Sequence, residues 1–408
     1  MNGINQTGII PNSLYNGSML KAFKYRIYPS EEQETLLKKH FGCCRFIYNW
    51  GLENKKKLYE SQKVSISCFD LMKHIPEIKK DKEWLSEVNS QSLQQSLHHL
   101  NDGFLKFFKK KAGFPKFKSK YEKQSFQCPQ STKVDFEKST VSIPKILNIS
   151  VVFSRKFEGK IKTTTISRTK TNKYYISILV DDGKELPLKP EINESKTIGV
   201  DLGLKDFLTT SSGEKISNLR FGQDQRWIKR HQRQLVRRKK KGQNRQKTKF
   251  RIARDFEKIR NRRTDFLQKL STKLIRENQT ICLEDLNVQG MMANHKLAGS
   301  IGRVAWGEFV SMLKYKSDWY GKNLLQIGRF EPSSKTCSVC GWVKKDLTLE
   351  DREWICQGCG AKHDRDVNAA QNIKAFALKK ILPMDSRDFK PVEMSGCRTE
   401  SLKQELVG

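Results

Sequence analysis

Four cysteines near the carboxyl end constrain one short segment more tightly than any other feature of the chain. Cys337 and Cys340 form one Cys-x-x-Cys pair, and Cys356 and Cys359 form a second pair after fifteen intervening residues. Two thiolates separated by two residues can bind one ion, and two such pairs complete a tetrahedral zinc site. We therefore expect a structural zinc ion with no open position for water. The alternative is a pair of redox-active or unpaired motifs.

The chain also carries a large excess of positive charge. It has 78 Lys and Arg against 44 Asp and Glu among 408 residues, a formal net charge of +34. Such an excess destabilises a compact chain by self-repulsion, so we expect a polyanionic partner, with nucleic acid as the first candidate. A polybasic membrane-surface protein would concentrate its charge in one segment, whereas basic residues here recur from Lys21 to Lys403. No run approaches the roughly 20 apolar residues of a membrane helix.

Hydrophobic periodicity divides the chain into three parts. Residues 21–28 alternate as a strand, and helical patterns follow at 31–60 and 90–111. From 113 to 192 the period shortens to two, which predicts an antiparallel sheet or barrel. After about residue 196 the pattern is α/β. The predicted elements there are strands at 197–203, 206–210, near 216, 280–286 and 324–330 and helices at 224–278 (broken near 242–244), 306–320 and 364–382.

Three acidic residues stand where a lone carboxylate would be costly. Asp201 lies in an otherwise apolar strand, Glu284 ends an apolar run, and Asp366 opens the last helix. Carboxylates at strand ends and a helix start can meet at one sheet edge, where three of them can hold two Mg²⁺ ions for phosphodiester cleavage. Each has a simpler explanation in solvent exposure, an arginine partner or helix capping. Together they favour catalysis, with Asp285 and Asp364 as ambiguous neighbours and Asp364 interpreted as the cap.

Two basic segments are candidates for nucleic-acid binding. Residues 229–263 are nearly free of acids until Asp255, although a solvated helix face normally mixes both signs. Residues 106–120 interleave lysines with phenylalanines, which can stack on unpaired bases or belong to a core. The residues selected from these segments are Lys116, Lys118, Arg237, Arg238, Lys239, Lys240, Lys241, Arg245 and Lys247.

Five motifs occur together in this chain. It opens with Lys21-Ala-Phe-Lys-Tyr-Arg-Ile-Tyr-Pro29 and continues with Gly113-Phe-Pro-Lys-Phe-Lys118. The other three are Gly199-Val-Asp-Leu-Gly203, Leu283-Glu-Asp-Leu286 and Asp364-Arg-Asp-Val-Asn-Ala-Ala-Gln-Asn-Ile373, and the cysteine pairs lie between the last two. Over about residues 21–382 the sequence resembles the TnpB proteins of bacterial insertion sequences, relatives of the type V CRISPR effectors. The family pattern places its RuvC catalytic triad on Asp201, Glu284 and Asp366.

The resemblance implies a multidomain fold of α+β and α/β parts. It comprises an RNase H-like RuvC nuclease domain with a zinc-ribbon insertion, an antiparallel β-barrel wedge domain and a helical recognition insertion. The implied boundaries are 21–45 and 113–192 for the wedge domain, 46–112 for the recognition domain, 196–335 and 361–382 for the nuclease and 336–360 for the ribbon. A disordered leader, 1–20, and a disordered tail, 383–408, are expected outside them.

The resemblance also implies an RNA-guided DNA endonuclease. Its partners would be a guide RNA from the transposon end and a double-stranded DNA target beside a short adjacent motif. Gln94 is the candidate reader of that motif, since Gln can pair bidentately with adenine, or else a plain surface residue. The three acids would hold two Mg²⁺, with Mn²⁺ as a substitute, and Zn²⁺ would be structural.

No membrane or small-molecule partner is expected, and the expected location is the cytoplasm, at the nucleoid. Two alternative functions stay open. One is an RNA-guided repressor that does not cleave, although such proteins lose RuvC acids that this chain keeps. The other is a transposase that acts on transposon ends.

Overall fold

A computed structural model describes residues 18–381 of the chain except 330 and 349. The predicted tail and most of the predicted leader lie outside these residues. The α-helices are α1 (Glu31–Gln62), α2 (Cys68–Lys73), α3 (Ile75–Asp81), α4 (Ser90–Phe108), α5 (Gly222–Arg237), α6 (Gln243–Glu277), α7 (Val288–Met292), α8 (His295–Val304), α9 (Trp306–Trp319) and α10 (Arg365–Lys379).

The described residues divide into two compact units. The first comprises 18–190, 219–277 and 303–323, and the second comprises 191–218, 278–302 and 324–381. No described helix is both long enough and apolar enough to cross a membrane.

The first unit contains a curled sheet that is antiparallel throughout. Its strands are β1 (Ser18–Tyr28), β2 (Gln124–Cys128), β3 (Lys133–Asp135), β4 (Thr140–Ile143), β5 (Ile146–Val152), β6 (Lys160–Arg168) and β7 (Tyr174–Glu185), in the order β2-β6-β7-β1-β5-β4-β3. Strand β1 begins at Ser18, three residues before the predicted start and within the predicted leader, because Ser18 and Leu20 pair with Glu185 and Asp181 of β7. The antiparallel pairing of the whole sheet was predicted, and the closure of the sheet into a barrel stays a prediction.

Helices α1 and α4 pack beside this sheet, and both begin at polar caps. Ser30 accepts a hydrogen bond from the Gln33 backbone N–H, and the Gln33 side chain accepts one from the Ser30 N–H. This reciprocal pair satisfies two N–H groups that a helix start leaves unpaired. The buried faces, which include Leu37, Ile47 and Leu93, join the sheet's inner side in one hydrophobic core.

The long basic region forms two helices, α5 and α6, and the break falls where it was predicted. Glycine at 242 separates them, and two arginines bind the ends of the helices across the turn. Nη1 of Arg238 donates to the Asn244 carbonyl and to Thr248 Oγ1, while Nη1 of Arg245 donates to the carbonyls of Leu235 and Arg238. These hydrogen bonds stabilise the turn.

The second unit contains a five-stranded sheet and a separate hairpin. Its strands are β8 (Thr197–Leu202), β9 (Asp206–Thr210), β10 (Lys215–Ser217), β11 (Thr280–Glu284) and β12 (Asn323–Ile327), in the order β10-β9-β8-β11-β12. Strands β10, β9 and β8 are antiparallel in succession, whereas β8 and β11 run parallel. The hairpin pairs β13 (Glu353–Ile355) with β14 (Lys362–Asp364).

Helix α10 packs directly on β8, and one glycine makes this approach possible. A Cβ atom at Gly199 would lie 2.0 Å from the Ala370 carbonyl oxygen and 2.9 Å from Cβ of Lys374. Both contacts are far shorter than any van der Waals distance, so no larger residue fits there. Gly199 therefore brings the start of α10 close to the strand that carries Asp201.

The sequence analysis did not anticipate α7 and α8.

Candidate functional site

The three predicted catalytic acids lie at neighbouring ends of secondary-structure elements in the second unit. Asp201 is near the end of β8 and Glu284 is the last residue of β11. The parallel register pairs Val200 with Leu283, so the two acids that follow lie at the same edge of the sheet. Asp366 is in the first turn of α10, which packs on β8. All three side chains are half-buried, so they are open to a solvent-borne partner.

The electrostatics show that these carboxylates interact. Burial, together with the charges of Asp366 and Glu284, raises the pKa of Asp201 to about 7. Burial also raises the pKa of Glu284, with an added contribution from Asp285. In the described part of the chain, neither Asp201 nor Glu284 forms an ion pair with a lysine or arginine. We name Asp201, Glu284 and Asp366 the acidic crevice, and Arg352 Nη1 lies 3.9 Å from Oδ2 of Asp366.

The two ambiguous neighbours have partners of their own. Asp364 Oδ1 accepts hydrogen bonds of 3.1 Å from the backbone N–H groups of Asp366 and Val367, which confirms its prediction as the helix cap. Its Oδ2 lies 2.6 Å from Lys215 Nζ. Burial alone would raise the pKa of Asp364, but the hydrogen bonds from Lys215 and the helix start hold it below its usual value. Asp285 accepts a 2.8 Å hydrogen bond from Arg329 Nε.

The four predicted metal-binding cysteines come together. The sulfur atoms of Cys337, Cys340, Cys356 and Cys359 all lie within 4.8 Å of one another. They form the one group of His, Cys, Asp or Glu ligand atoms in the described chain that gathers closely enough for a single ion. The glycines at 341 and 360, both with positive φ, donate their N–H groups to the carbonyls of the first cysteine in each pair, at 2.9 and 2.8 Å. The prediction of a four-cysteine cluster is therefore confirmed.

A pair of buried asparagines joins this cluster to the helix that carries Asp366. Asn368 accepts a 2.9 Å hydrogen bond from the Ser338 N–H and donates one of 2.7 Å to the Thr336 carbonyl. Asn372, one turn later, donates to the carbonyls of Ser333 and Thr336 at 2.7 and 2.6 Å. His363 adds a contact of 3.0 Å from Nε2 to Cys337 Sγ. The segment that leads into the first cysteine is thus fixed to α10.

These asparagines and Lys215 are site residues that the sequence analysis missed. A signal for the asparagines was present, because they stand four residues apart on the same helical face as Ala369 and Ile373, where an unpaired amide would be costly. No local pattern marks Lys215, which reaches Asp364 across 149 residues of sequence.

The predicted nucleic-acid contacts lie in three different parts of the first unit. Gln94 is exposed on α4. Lys116 and Lys118 are exposed in the segment before β2, and Lys118 Nζ lies 3.8 Å from the centroid of the Tyr48 ring. Around the α5–α6 turn the exposed residues are Arg237, Lys239, Lys240, Lys241 and Lys247, whereas Arg238 and Arg245 are half-buried and bind the turn. Nucleic-acid binding by all of these residues stays a prediction.

The sequence matches three family models. They are described as a "Probable transposase" family (OrfB_IS605) over residues 175–295, a Cas12f1-like TNB domain over 306–373 and a helix-turn-helix domain over 19–63. In the structure the last range contains strand β1 and the single helix α1 rather than two helices joined by a turn.

Two curated relatives cover most of the chain. A protein of Streptomyces pristinaespiralis named "Putative RNA-guided DNA endonuclease" is 39% identical over 364 residues, 88% of this chain and 89% of its own length. The Escherichia coli K12 protein with the same name and the suffix InsQ is 32% identical over 87% of this chain and 92% of its own.

A solved structure of a Cas12f1–sgRNA–target DNA complex is also similar. It matches with a TM-score of 0.48 and 15% identity over 88% of this chain and 99% of that chain. Other relatives, at 25% identity over 87% of this chain, are named TnpB-like proteins of Acanthamoeba polyphaga mimivirus. On the extent and identity of the two curated matches, this chain belongs to the TnpB family.

Proposed function

We propose that this protein is an RNA-guided DNA endonuclease that cleaves double-stranded DNA with the acids of its second unit. The observation that supports the proposal is that Glu284 and Asp366, although distant in sequence from Asp201, lie near enough for their charges to raise its pKa. The relatives named as RNA-guided DNA endonucleases support it over nearly the full chain length. The sheet order, with three antiparallel strands followed by a parallel pair, supports an RNase H-like nuclease of the RuvC type.

The donor set of the crevice suits Mg²⁺. The ligands are hard carboxylate oxygens, and burial together with the charges of Asp366 and Glu284 raises the pKa of Asp201. Asp201, Glu284 and Asp366 would hold the ions, and Mn²⁺ would substitute. When bound, Mg²⁺ supplies the positive charge that stabilises the attacking and leaving oxygens during phosphodiester hydrolysis.

The chain's own residues position the third acid. Asp364 caps α10, and Lys215 forms an ion pair with Asp364. The carboxylate of Asp364 is therefore already bound at the start of the helix. Asp366 is thereby fixed at the first turn, with its Oδ2 only 3.9 Å from Arg352 Nη1. The four cysteines would hold Zn²⁺ in a closed structural site, and the asparagines of α10 bind the segment that enters it.

The division of labour accounts for the charge of the chain. When base pairing between guide and target reads the sequence, the protein needs mainly contacts to phosphate backbones. The net charge of +34 is therefore consistent with a protein that binds a guide RNA and a target DNA duplex. The domain boundaries given by the family resemblance and the role of Gln94 in reading the adjacent motif belong to the same proposal.

The test uses the full chain with the RNA that co-purifies with it. That RNA is sequenced, and plasmids that carry the complementary target beside a randomised flank are incubated with the complex in Mg²⁺ or in EDTA. We expect linear plasmid only with Mg²⁺, and none from Asp201→Ala, Glu284→Ala or Asp366→Ala. Asp285→Asn is the matched control, because that acid lies beside Glu284 but is paired with Arg329.

Three outcomes would contradict the proposal. Binding of the target by wild-type protein without any cut in Mg²⁺ would identify a guided repressor. Cleavage by all three alanine variants at the wild-type rate would place the reaction elsewhere. RNA-independent joining of transposon ends would identify the transposase alternative.

A further inference from the structure

The β13–β14 hairpin continues into α10 without a linker. Strand β14 ends at Asp364, which is also the cap of α10. The register pairs Asp364 with Glu353 of β13, and the Arg365 N–H donates a 2.9 Å hydrogen bond to the Arg352 carbonyl. Asp366 of the acidic crevice therefore lies two residues after a strand whose partner comes from the segment between the two cysteine pairs.

His363, the middle residue of β14, lies against the cysteine cluster. Its Nε2 atom is 3.0 Å from Cys337 Sγ, and its ring centroid is 4.7 Å from that of Trp354, its partner across the hairpin. The side chains of His363 and Trp354 are both buried. A cysteine thiolate that binds zinc carries no proton, so in the metal-bound cluster this contact requires an N–H on Nε2 that donates to sulfur. His363 is thus a buried donor to one metal ligand.

The same cysteine is also held on both sides through the backbone. Asn368 of α10 donates to the Thr336 carbonyl at 2.7 Å and accepts from the Ser338 N–H at 2.9 Å, and these two residues flank Cys337. Cys337 is itself buried, whereas the second cysteine of each pair is exposed. Three side-chain contacts therefore join this cysteine and its neighbours to α10 and to the strand before it.

The start of α10 is in turn held against the sheet that carries the other two acids. Lys215 Nζ of β10 lies 2.6 Å from Asp364 Oδ2, and Gly199 lets α10 pack on β8. The charge of Asp366 contributes to the raised pKa of Asp201, so the two carboxylates are close enough to interact. Carboxylates that share ions need a fixed separation, so a shift of the α10 start would weaken their common site.

We infer that His363 is a positioning residue that couples the cysteine cluster to the acidic crevice. It orients the Cys337 thiolate for zinc and, through β14, holds Asp366 in place for the divalent ions of the crevice. This inference rests on the proposed function for the identity of both metals. When zinc is removed, the thiolates repel one another or take up protons, so His363 loses a fixed acceptor and the start of α10 loses a contact. By linkage, a divalent ion in the crevice must then strengthen zinc binding by the same factor.

The test compares two amides at position 363 in the full chain, purified with zinc and freed of nucleic acid. The amide nitrogen of His363→Gln can take the place of Nε2, whereas that of His363→Asn is one methylene too short to reach the sulfur. Lys362→Gln, an exposed position on the same strand, is the matched control. The rate of zinc release to a colorimetric chelator is measured first. Mn²⁺ binding is then followed by the EPR signal of the free ion, and Asp201→Ala gives the Mn²⁺ bound outside the crevice.

We expect His363→Asn to release zinc about tenfold faster than wild type, because a hydrogen bond to a metal ligand is lost. Its Mn²⁺ affinity in the crevice should fall by about fivefold. His363→Gln and Lys362→Gln should match wild type in both quantities. Saturating Mn²⁺ should slow zinc release from wild type, and it should do so less for His363→Asn.

Four outcomes would overturn the inference. Zinc release from His363→Asn at the wild-type rate would show that His363 does not hold Cys337. Faster release with unchanged Mn²⁺ affinity would show a contact without coupling. Equal losses in the Asn and Gln variants would show that the reach of the donor is not the cause. The fourth outcome, no effect of Mn²⁺ on zinc release from wild type, tests the coupling without any substitution.

None of these measurements depends on cleavage or on RNA. A protein that shows the expected changes but cuts no guided target would overturn the nuclease and leave the coupling standing. Thermal unfolding of each zinc-loaded variant checks its fold. Faster zinc release from a variant that melts as wild type does is therefore attributable to the lost hydrogen bond.

Discussion

The acidic crevice and a cluster of three exposed cations in the first unit, Lys24, Lys123 and Arg260, are both groups of like charges, but they differ in depth and extent. The crevice contains three carboxylates on short side chains at one sheet edge, and the pKa of Asp201 rises to about 7 because burial and two neighbouring acids act together. The cluster contains long, exposed side chains, and burial and like charges lower the pKa of Lys24 without taking it far from its usual value.

The difference teaches what each region is suited to bind. A crowded, half-buried group of short acids concentrates its field in a small volume, which suits divalent ions. Exposed cations spread over a sheet face produce a weaker and broader field, which suits a phosphate backbone. In both cases the cost of repulsion in the free protein is the sign of an absent partner of opposite charge.

The largest expected effect comes from neutralising one acid of the crevice. Asp201→Asn should lower Mg²⁺-dependent cleavage by at least about 10³-fold. The three acids act together, so the loss of one of them removes most of their joint effect. The same variant should melt higher than wild type in metal-free buffer at pH 8, and this gain should shrink at pH 5. Both readouts are made on one preparation, by plasmid cleavage and by thermal unfolding.

The sign follows from the direction of the pKa shift. The pKa of Asp201 is higher in the folded protein, about 7, than in the unfolded chain, so the folded state keeps the proton longer. Wild-type stability therefore falls as pH rises from about 4 to about 7, and the amide variant escapes this loss. Asp285→Asn is the control. A gain in Asp201→Asn that does not change with pH would show that repulsion in the crevice is not its cause.

A buried lysine shows how burial changes the pKa of a cation, for comparison with the exposed cations. Lys316 on α9 is 5% exposed, and its Nζ donates to the Gln268 carbonyl and to the hydroxyls of Ser271 and Thr272 on α6. Burial, with a smaller contribution from Arg276, lowers the pKa of Lys316 to about 8. The ammonium group is thus far less exposed than those of Lys24 and Lys123.

We expect wild type to gain stability over Lys316→Met as pH rises from about 8 to 10.5, by at most about 3 kcal/mol. The folded state releases its proton first in this range, so deprotonation favours folding. Denaturant unfolding at several pH values measures the difference between the two proteins, and Lys314→Met, an exposed position on the same helix, is the control. A pH-independent difference would contradict the assigned pKa direction.

Next in size is the effect of the asparagines that link the cysteine cluster to the crevice. Asn368→Ala leaves the Ser338 N–H and the Thr336 carbonyl with fewer partners in a buried place, which should cost about 2 kcal/mol of unfolding free energy. Zinc release to a colorimetric chelator should become faster in parallel. Gln371→Ala, an exposed position on α10 that contacts only the Ser338 hydroxyl, should change neither quantity. Equal behaviour of the two variants would contradict the linkage.

The sequence predicted those features that depend on local patterns. Asp364 was identified as a helix cap from residue type and position, and it caps α10. The cysteine cluster followed from its spacing. The α5–α6 break followed from glycine 242, but the hydrogen bonds of Arg238 and Arg245 did not, because a guanidinium that binds a turn has the same sequence signal as one that binds phosphate.

Features that depend on strand register could not be predicted in this way. In the first unit's sheet, the register of four strands aligns Arg26 with Tyr175, and Tyr175 with Ser167 and Ser125, across more than a hundred residues of sequence. Each serine alone is an unremarkable strand residue. The close approach of α10 to β8 likewise depends on Gly199 and Ala370, which lie far apart in the chain. The pairing of distant residues in the folded chain determines these features, and the hydrophobic periodicity of the sequence does not.

The smallest expected effect separates the two regions most directly. Lys123→Gln should raise the melting temperature of the nucleic-acid-free protein by about 1 °C, because one cation of a mutually repelling but solvated group is removed. The gain should vanish at high salt, because salt screens repulsion between exposed charges. It screens repulsion between the half-buried acids of the crevice far less. With RNA present the order should invert, and wild type should melt higher. Lys133→Gln serves as control, and an identical shift in both variants would mean that the temperature reports net charge alone.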